Sequence, residues 1–213
     1  MDSLSFVYDE PAQMYNCKLY LARKLSNNRM FLICNGLSYG NSNLDDATPF
    51  LHIRALALAG VKRAFIVTLG YSANQKIETG SVCNIIDHMP VFVDNPLVGP
   101  NVEKWGNRFP DISKMYTNSK LMFEGSNVIP VTAMWTNMSK PYAYDAEFGM
   151  AKFMGIDIVV KQGVGECMMF HHMGVKSTVI AVIESSVKDS CPSDLLGIAE
   201  KNSSLICGLI SDL

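Results

Sequence analysis

Residues 55–68 read ALALAGVKRAFIVT: an apolar stripe, a glycine, and then a β-branched run. Glycine at the end of such a stripe tolerates the left-handed conformation that closes a helix. Ala59-Gly60-Val61 therefore reads as a helix stop, and Ala64 to Thr68 as the strand it feeds. The same punctuation recurs at Met154-Gly155-Ile156, ahead of Asp157 to Val160, and at Met173-Gly174-Val175, ahead of Thr178 to Ile183. The runs after the glycines are short and apolar on both parities. Strands of that kind are covered on both faces, as in a largely parallel or mixed sheet packed between helices. The pattern predicts an α/β fold.

Working outward, Pro11 to Ser26 places Met14, Cys17, Leu21 and Leu25 on one stripe and predicts a helix with Pro11 in its first turn. A strand over Met30 to Cys34 runs into Asn35-Gly36-Leu37-Ser38-Tyr39-Gly40, and Thr48 to Ala59 predicts a further helix. A C-terminal helix follows Pro192, carrying Leu195, Leu196, Ile198, Leu205, Ile206, Leu209 and Ile210. Between Val93 and Gly125 lies a long segment rich in Asn, Pro and Gly, of the kind that is functional or packed as ordered surface. No internal repeat, linker or low-complexity tract divides the chain, so one domain over 1–213 is expected.

Composition excludes several functions. With 48% apolar and 18% charged residues, the 213-residue chain buries a full core. A net charge of -2 and a pI near 6.1 leave no basic footprint for nucleic acid or an anionic membrane. No apolar run approaches the roughly 18 residues that span a bilayer, and Met1-Asp2-Ser3 lacks a basic region followed by an apolar one, so a cytoplasmic protein is expected. Six cysteines are scattered without a CxxC spacing and read as reduced, structural thiols. Cys167 with His171 and His172 lacks a second ligand cluster, so neither metal nor cofactor is expected.

Asp87 to Tyr116 reads DHMPVFVDNPLVGPNVEKWGNRFPDISKMY. Through Asp87-His88, Asn95-Pro96-Leu97, Gly99, Asn101, Gly106 and Arg108-Phe109-Pro110 it resembles the trimeric purine nucleoside phosphorylases, whose matching stretch runs from a DHIN-like turn through NPL-G-N to a G-RFP-MS-AY block. The likeness extends more weakly over most of the chain. It implies a central mixed β-sheet flanked by helices, with part of the sheet shortened by an internal deletion. After Gly40 the chain reaches the helix Thr48 to Ala59 within a few residues, where the family inserts strands bearing the arginine and histidine that neutralise phosphate. Asn41 to Asp46 supplies Asp45 and Asp46 instead, which repel an anion.

The resemblance also implies what became of the site. The family's GSGL-type phosphate loop corresponds to Ile33 to Ser38, with its serine at Gly36 and Ser38 two residues beyond. Its TNAAGG turn becomes Thr68-Leu69-Gly70-Tyr71-Ser72-Ala73, where Leu69 and Tyr71 put bulk beside the ligand's path. The purine-binding glutamate falls on Thr136 or Ala143 in the region of Trp135 and Tyr142, and Glu147 survives from the following AE pair as helix surface or structural contact. The Met-Ser-Thr stretch that binds ribose and phosphate becomes Lys161-Gln162-Gly163, and the late-strand asparagine becomes Ser185 after Glu184. Glu166 matches a structural glutamate. His88 and Tyr116 stand in the retained block. The expected remnant pocket thus comprises Gly36, Ser38, Tyr71, His88, Tyr116, Trp135, Tyr142, Lys161 and Ser185, with no catalytic residue.

From these changes the expectation is a non-catalytic scaffold or protein-interaction subunit. Its expected partner is another protein, as a homo-oligomer or as a hetero-oligomer with a related active subunit, without nucleic acid or membrane. The alternative is a purine nucleoside phosphorylase or hydrolase with altered site chemistry, or a nucleoside-binding sensor.

Overall fold

The computed structural model describes residues 4–6, 12–14, 17–24, 27, 29–35, 50–116, 123, 126–136, 145–186 and 195–211. Its centre is a closed barrel of five strands in the order β5 (Arg63–Ser72), β8 (Ile158–Val160), β7 (Ile129–Thr136), β6 (Val82–Val91) and β9 (Lys176–Ser186). The sheet is mixed: β5 runs parallel to β9, β6 and β7 parallel each other, and β5 opposes β8 while β6 opposes β9. Closure leaves this sheet no free edge, so the long apolar runs of β5 and β9 satisfy their backbone groups internally.

The glycine punctuation holds. Gly60, Gly155 and Gly174 take φ of 95°, 71° and 75°, each just before the strand predicted after it. The helices so closed are α1 (Leu51–Leu58), α2 (Asp145–Phe153) and α3 (Val164–His172), and α4 (Leu195–Ser211) lies at the C-terminus. One face of the barrel packs Cys83, Ile85, Val131, Ala133, Trp135, Ile158, Val160, Val179, Ala181 and Ile183 with Cys167 and Met168 of α3. A second cluster joins Tyr71, Met134 and Val159 to Ala151 of α2. Alternate residues of β7 and β8 thus serve different clusters, which is why their sequences look apolar throughout. Asn202 fastens α4 to the barrel by donating from Nδ2 to the Gly80 carbonyl at 3.1 Å.

The segment predicted as a helix over Pro11 to Ser26 is not one. Its described parts are strands β2 (Ala12–Met14) and β3 (Cys17–Lys24), paired with each other and, along the other edge of β3, with β4 (Met30–Asn35). Residues spaced by four, such as Cys17 and Leu21, share a face in either geometry, and the antiparallel ladder running from Lys18↔Asn35 to Arg23↔Met30 decides for the strand by satisfying the backbone groups of both chains. With β1 (Leu4–Phe6) these strands form a separate four-stranded antiparallel sheet. β4, expected to carry the phosphate loop, therefore lies outside the barrel. Asp87-His88, read as a turn, lies within β6, where the register with β7 shifts between Ile85 and Asp87.

Within the segment predicted from Val93 to Gly125 as functional or packed as ordered surface, residues 93–116 are described and pack as ordered surface. It holds two short 3-10 turns, Glu103–Trp105 and Ile112–Lys114, the second capped by Asp111, which accepts from Ser113 N at 3.2 Å. Arg54 of α1 clamps it by laying its guanidinium 4.4 Å from the centre of the Trp105 ring. The ring of His172 bonds to the backbone of Asn107. Among the described residues no helix is long and apolar enough to cross a membrane.

Candidate functional site

Polar side chains converge where β5, β8 and β9 meet. Asp157, just ahead of β8, ties this corner together: its carboxylate accepts from Asn74 Nδ2 at 2.9 Å and from the Thr132 amide at 3.0 Å, while its carbonyl accepts from the Ala73 and Asn74 amides at 2.9 and 3.1 Å. The end of β5 is thereby pinned to β7. Sequence alone offered no sign of this role, because the acceptor and its donors are far apart along the chain.

Immediately after Gly70 the ladder loses step. Gly70 pairs with Ile183 but Tyr71 pairs with Ser185, so Glu184 is the extra residue of a bulge in β9. A bulge re-aims its side chain and occurs next to functional sites. Here it turns a carboxylate into a buried corner, where Glu184 is 4% exposed and bonds to the Tyr71 side chain. Burial pushes the Glu184 carboxyl above its ordinary range, against the Tyr71 hydrogen bond and the nearby Lys161 charge.

Lys161 follows β8 directly. Its Nζ lies 5.9 Å from the centre of the Tyr71 ring, is shielded from solvent and has no hydrogen-bond partner. Loss of hydration lowers the ammonium's pKa, and the carboxylates of Glu147 and Glu184 raise it. Glu147, read as helix surface or structural contact, is 3% exposed and faces this corner from α2. The α2 periodicity could not orient it, because the helix packs against the strand cluster on the side that bears this acid. A carboxylate directly after the apolar run Val179 to Ile183 of β9 was the available signal for Glu184.

The other expected site residues separate. Tyr71 is buried among Met134, Ala151, Ile156 and Val159, so its ring fills space while its hydroxyl serves Glu184. Ser185 is buried beside it in the ladder. Trp135 belongs to the barrel core, where a Cβ on Gly165 would lie 2.9 Å from its ring. His88 and Tyr116 form their own pair, ring to ring at 5.8 Å with Nδ1 and the phenol oxygen 3.2 Å apart. Burial depresses the His88 pKa, with Asp87 opposing. Gly36, Ser38 and Tyr142 lie outside the described residues. Cys167, His171 and His172 reach different neighbours: Cys167 Sγ is 3.1 Å from Ser177 Oγ, and His171 Nε2 is 3.0 Å from the Asp111 carbonyl. Glu166 accepts from the Gly163 amide at 2.8 Å and caps α3, a structural duty.

No family model matches the chain. Among curated proteins it is similar to purine nucleoside phosphorylase 1 of Bacillus subtilis, at 26% identity over 140 residues covering 63% of this chain and 52% of that one. It is also similar to purine nucleoside phosphorylase 1 of Geobacillus stearothermophilus, at 29% over 139 residues covering 62% and 51%. The chain thus spans about half the length of the curated relatives it matches. Among solved structures, a Schistosoma purine nucleoside phosphorylase in complex with hypoxanthine superposes with a TM-score of 0.82 at 21% identity, covering 99% of this chain and 83% of that one. The complex of Schistosoma purine nucleoside phosphorylase with guanosine gives the same TM-score of 0.82.

The fold and the alignments define a class, the nucleoside phosphorylase-like α/β proteins. In sequence the chain is similar to purine nucleoside phosphorylases, and it is shorter than the solved chains whose fold it shares. The expectation of a non-catalytic protein is corrected by these matches: the curated relatives are named for an enzyme activity, and neighbours of the same fold hold a base or a nucleoside. That expectation counted replaced residues one at a time. The folded chain instead gathers Tyr71, Glu147, Lys161 and Glu184 into one polar cluster.

Proposed function

We propose that this chain is a purine nucleoside phosphorylase with altered site chemistry, acting at the corner formed by Tyr71, Lys161, Glu184 and Ser185. The observation that carries the reading is the buried Lys161 ammonium, unpartnered and facing Glu147 and Glu184, at the position where the family resemblance puts ribose and phosphate contacts. A buried ion with open hydrogen-bonding capacity is costly unless a ligand completes its surroundings. In phosphorolysis a phosphate oxygen bonds to C1′ of the ribose as the N9–C1′ bond breaks, and the purine leaves with the bonding pair and takes up a proton. Positive charge develops on the sugar as that bond stretches, and carboxylates placed beside it stabilise the transition state.

The matches to phosphorylases support this reading, as does the shared fold with nucleoside complexes. Self-association belongs to it too, supported by Phe92, Val98 and Phe109, which are 81%, 81% and 85% exposed. Free thiols at Cys34, Cys83, Cys167 and Cys207 favour a reducing, cytoplasmic setting. The test is incubation of the protein with inosine, guanosine or adenosine, with and without phosphate, and chromatography of free base. Phosphate-dependent release, lowered at least about tenfold by Lys161→Met, is the expected result. No release from any of the three, or release indifferent to phosphate, overturns the proposal.

A further inference from the structure

Residues 98–111 lie against α1 and α3 as a strap whose two ends are sunk in apolar contacts. Leu97 packs against two core clusters, and Met115 and Tyr116 are 3% and 5% exposed. The middle is held by polar side chains instead. The Arg54 guanidinium lies on the Trp105 ring, the His172 ring bonds to the Asn107 backbone, and His171 Nε2 reaches the Asp111 carbonyl at 3.0 Å. The strap sits close on α3, since a Cβ on Gly106 would lie 3.1 Å from His172 Nε2. This joint is incompletely satisfied: Arg54 Nη1, Trp105 Nε1 and His172 Nδ1 are shielded from solvent and have no hydrogen-bond partner. Buried polar atoms in that condition are penalised, and water relieves them once the strap lifts.

Because Nδ1 is unpartnered, His172 holds Asn107 through Nε2, and a second proton would make Nδ1 a buried donor with no acceptor. Burial and the Arg54 charge from α1 depress the His172 imidazole, the Asn107 backbone opposes them, and His171 on its own helix adds to the fall. Among the strap's charged side chains, Glu103, Lys104 and Arg108 are exposed and Asp111 is paired with Lys114. No carboxylate therefore acts on the ring.

We infer that residues 98–111 form an acid-released strap: neutral His172 keeps it closed on α1 and α3, and protonation of that ring beside Arg54 lifts it while the barrel stays folded. Histidine changes charge in the physiological range, and local opening of this kind precedes global unfolding. The device does not depend on the chemistry proposed beside Lys161. Its sign follows from the closed form resisting the proton: the closed strap is favoured above the ordinary imidazole value of 6.5 and is lost as pH falls below it.

The test is amide hydrogen exchange of the intact protein across that range, read by mass spectrometry and corrected for the intrinsic pH dependence of exchange. The amides of Trp105 and Gly106, bonded to the Val102 and Glu103 carbonyls, report the strap, and those of β9 report the barrel. Strap protection should fall about tenfold per pH unit below the imidazole value, the slope of one proton, while β9 keeps its protection. His172→Gln retains a donor toward Asn107 but takes up no proton, and should flatten that slope to within about twofold. His88→Phe should leave it unchanged. Strap protection indifferent to pH overturns the inference, as does a loss shared equally by β9, or a slope that persists in His172→Gln and disappears in His88→Phe. The wild-type comparison of strap with β9 decides the matter even where a variant does not fold.

Discussion

Replacing Asp157 by alanine tests whether the corner beneath the site is held by one carboxylate. The substitution removes acceptors from Asn74 Nδ2 at 2.9 Å and from the Thr132 amide at 3.0 Å, and it leaves the backbone bonds of residue 157 in place. A hydrogen bond to a charged group contributes about 1.5–3 kcal/mol when its loss strands a buried partner. Asp157 is only half-buried, so water relieves part of the penalty and the expected cost is about 3 kcal/mol in total. For a chain of this size each kcal/mol moves Tm by about 2–4 °C, which gives a fall of about 6–12 °C. Urea unfolding followed by circular dichroism provides the free energy independently, and the m-value should not change. Asp157→Asn keeps one oxygen and should cost about half as much. An alanine variant within about 0.5 kcal/mol of wild type would refute the reasoning, since only the loss of both bonds can produce the larger figure.

Three further outcomes follow from particular contacts. A Cβ on Gly106 would collide with the His172 carbonyl oxygen and lie 3.1 Å from its Nε2, so Gly106→Ala should lower stability by about 1–3 kcal/mol in urea unfolding. The raised Glu184 carboxyl means the folded state holds its proton to higher pH than the unfolded chain; stability therefore falls as pH rises from the ordinary carboxyl value of 4.5 through the folded one. Glu184→Gln should flatten that fall in a series of melts. The depressed His88 imidazole works in the opposite sense: the unfolded chain binds the proton first, so stability is lost as pH drops below 6.5, and His88→Phe should reduce that loss.

The glycines before β5, β8 and β9 made the α/β frame legible, because a helix stop followed by a doubly apolar strand is written in local residues. The block from Asp87 to Tyr116 carried the family likeness for a similar reason: a long ordered loop needs particular turn and capping residues, and Asp111 and Asn101 still make such bonds. The sequence by itself thus determined the helical stops, the buried strands and the likeness to the phosphorylases. Only the tertiary structure decided that residues 17–24 form a strand, since a stripe with a spacing of four suits both geometries and the ladder with β4 lies outside the segment itself. It also decided which polar groups meet. Tyr71, Glu147, Lys161 and Glu184 are distant in the chain, and their meeting depends on a bulge in one strand, a helix packed face-down and a barrel closed on itself. Non-local placement sets electrostatics, because each charge is stabilised or penalised by neighbours that no window of sequence contains.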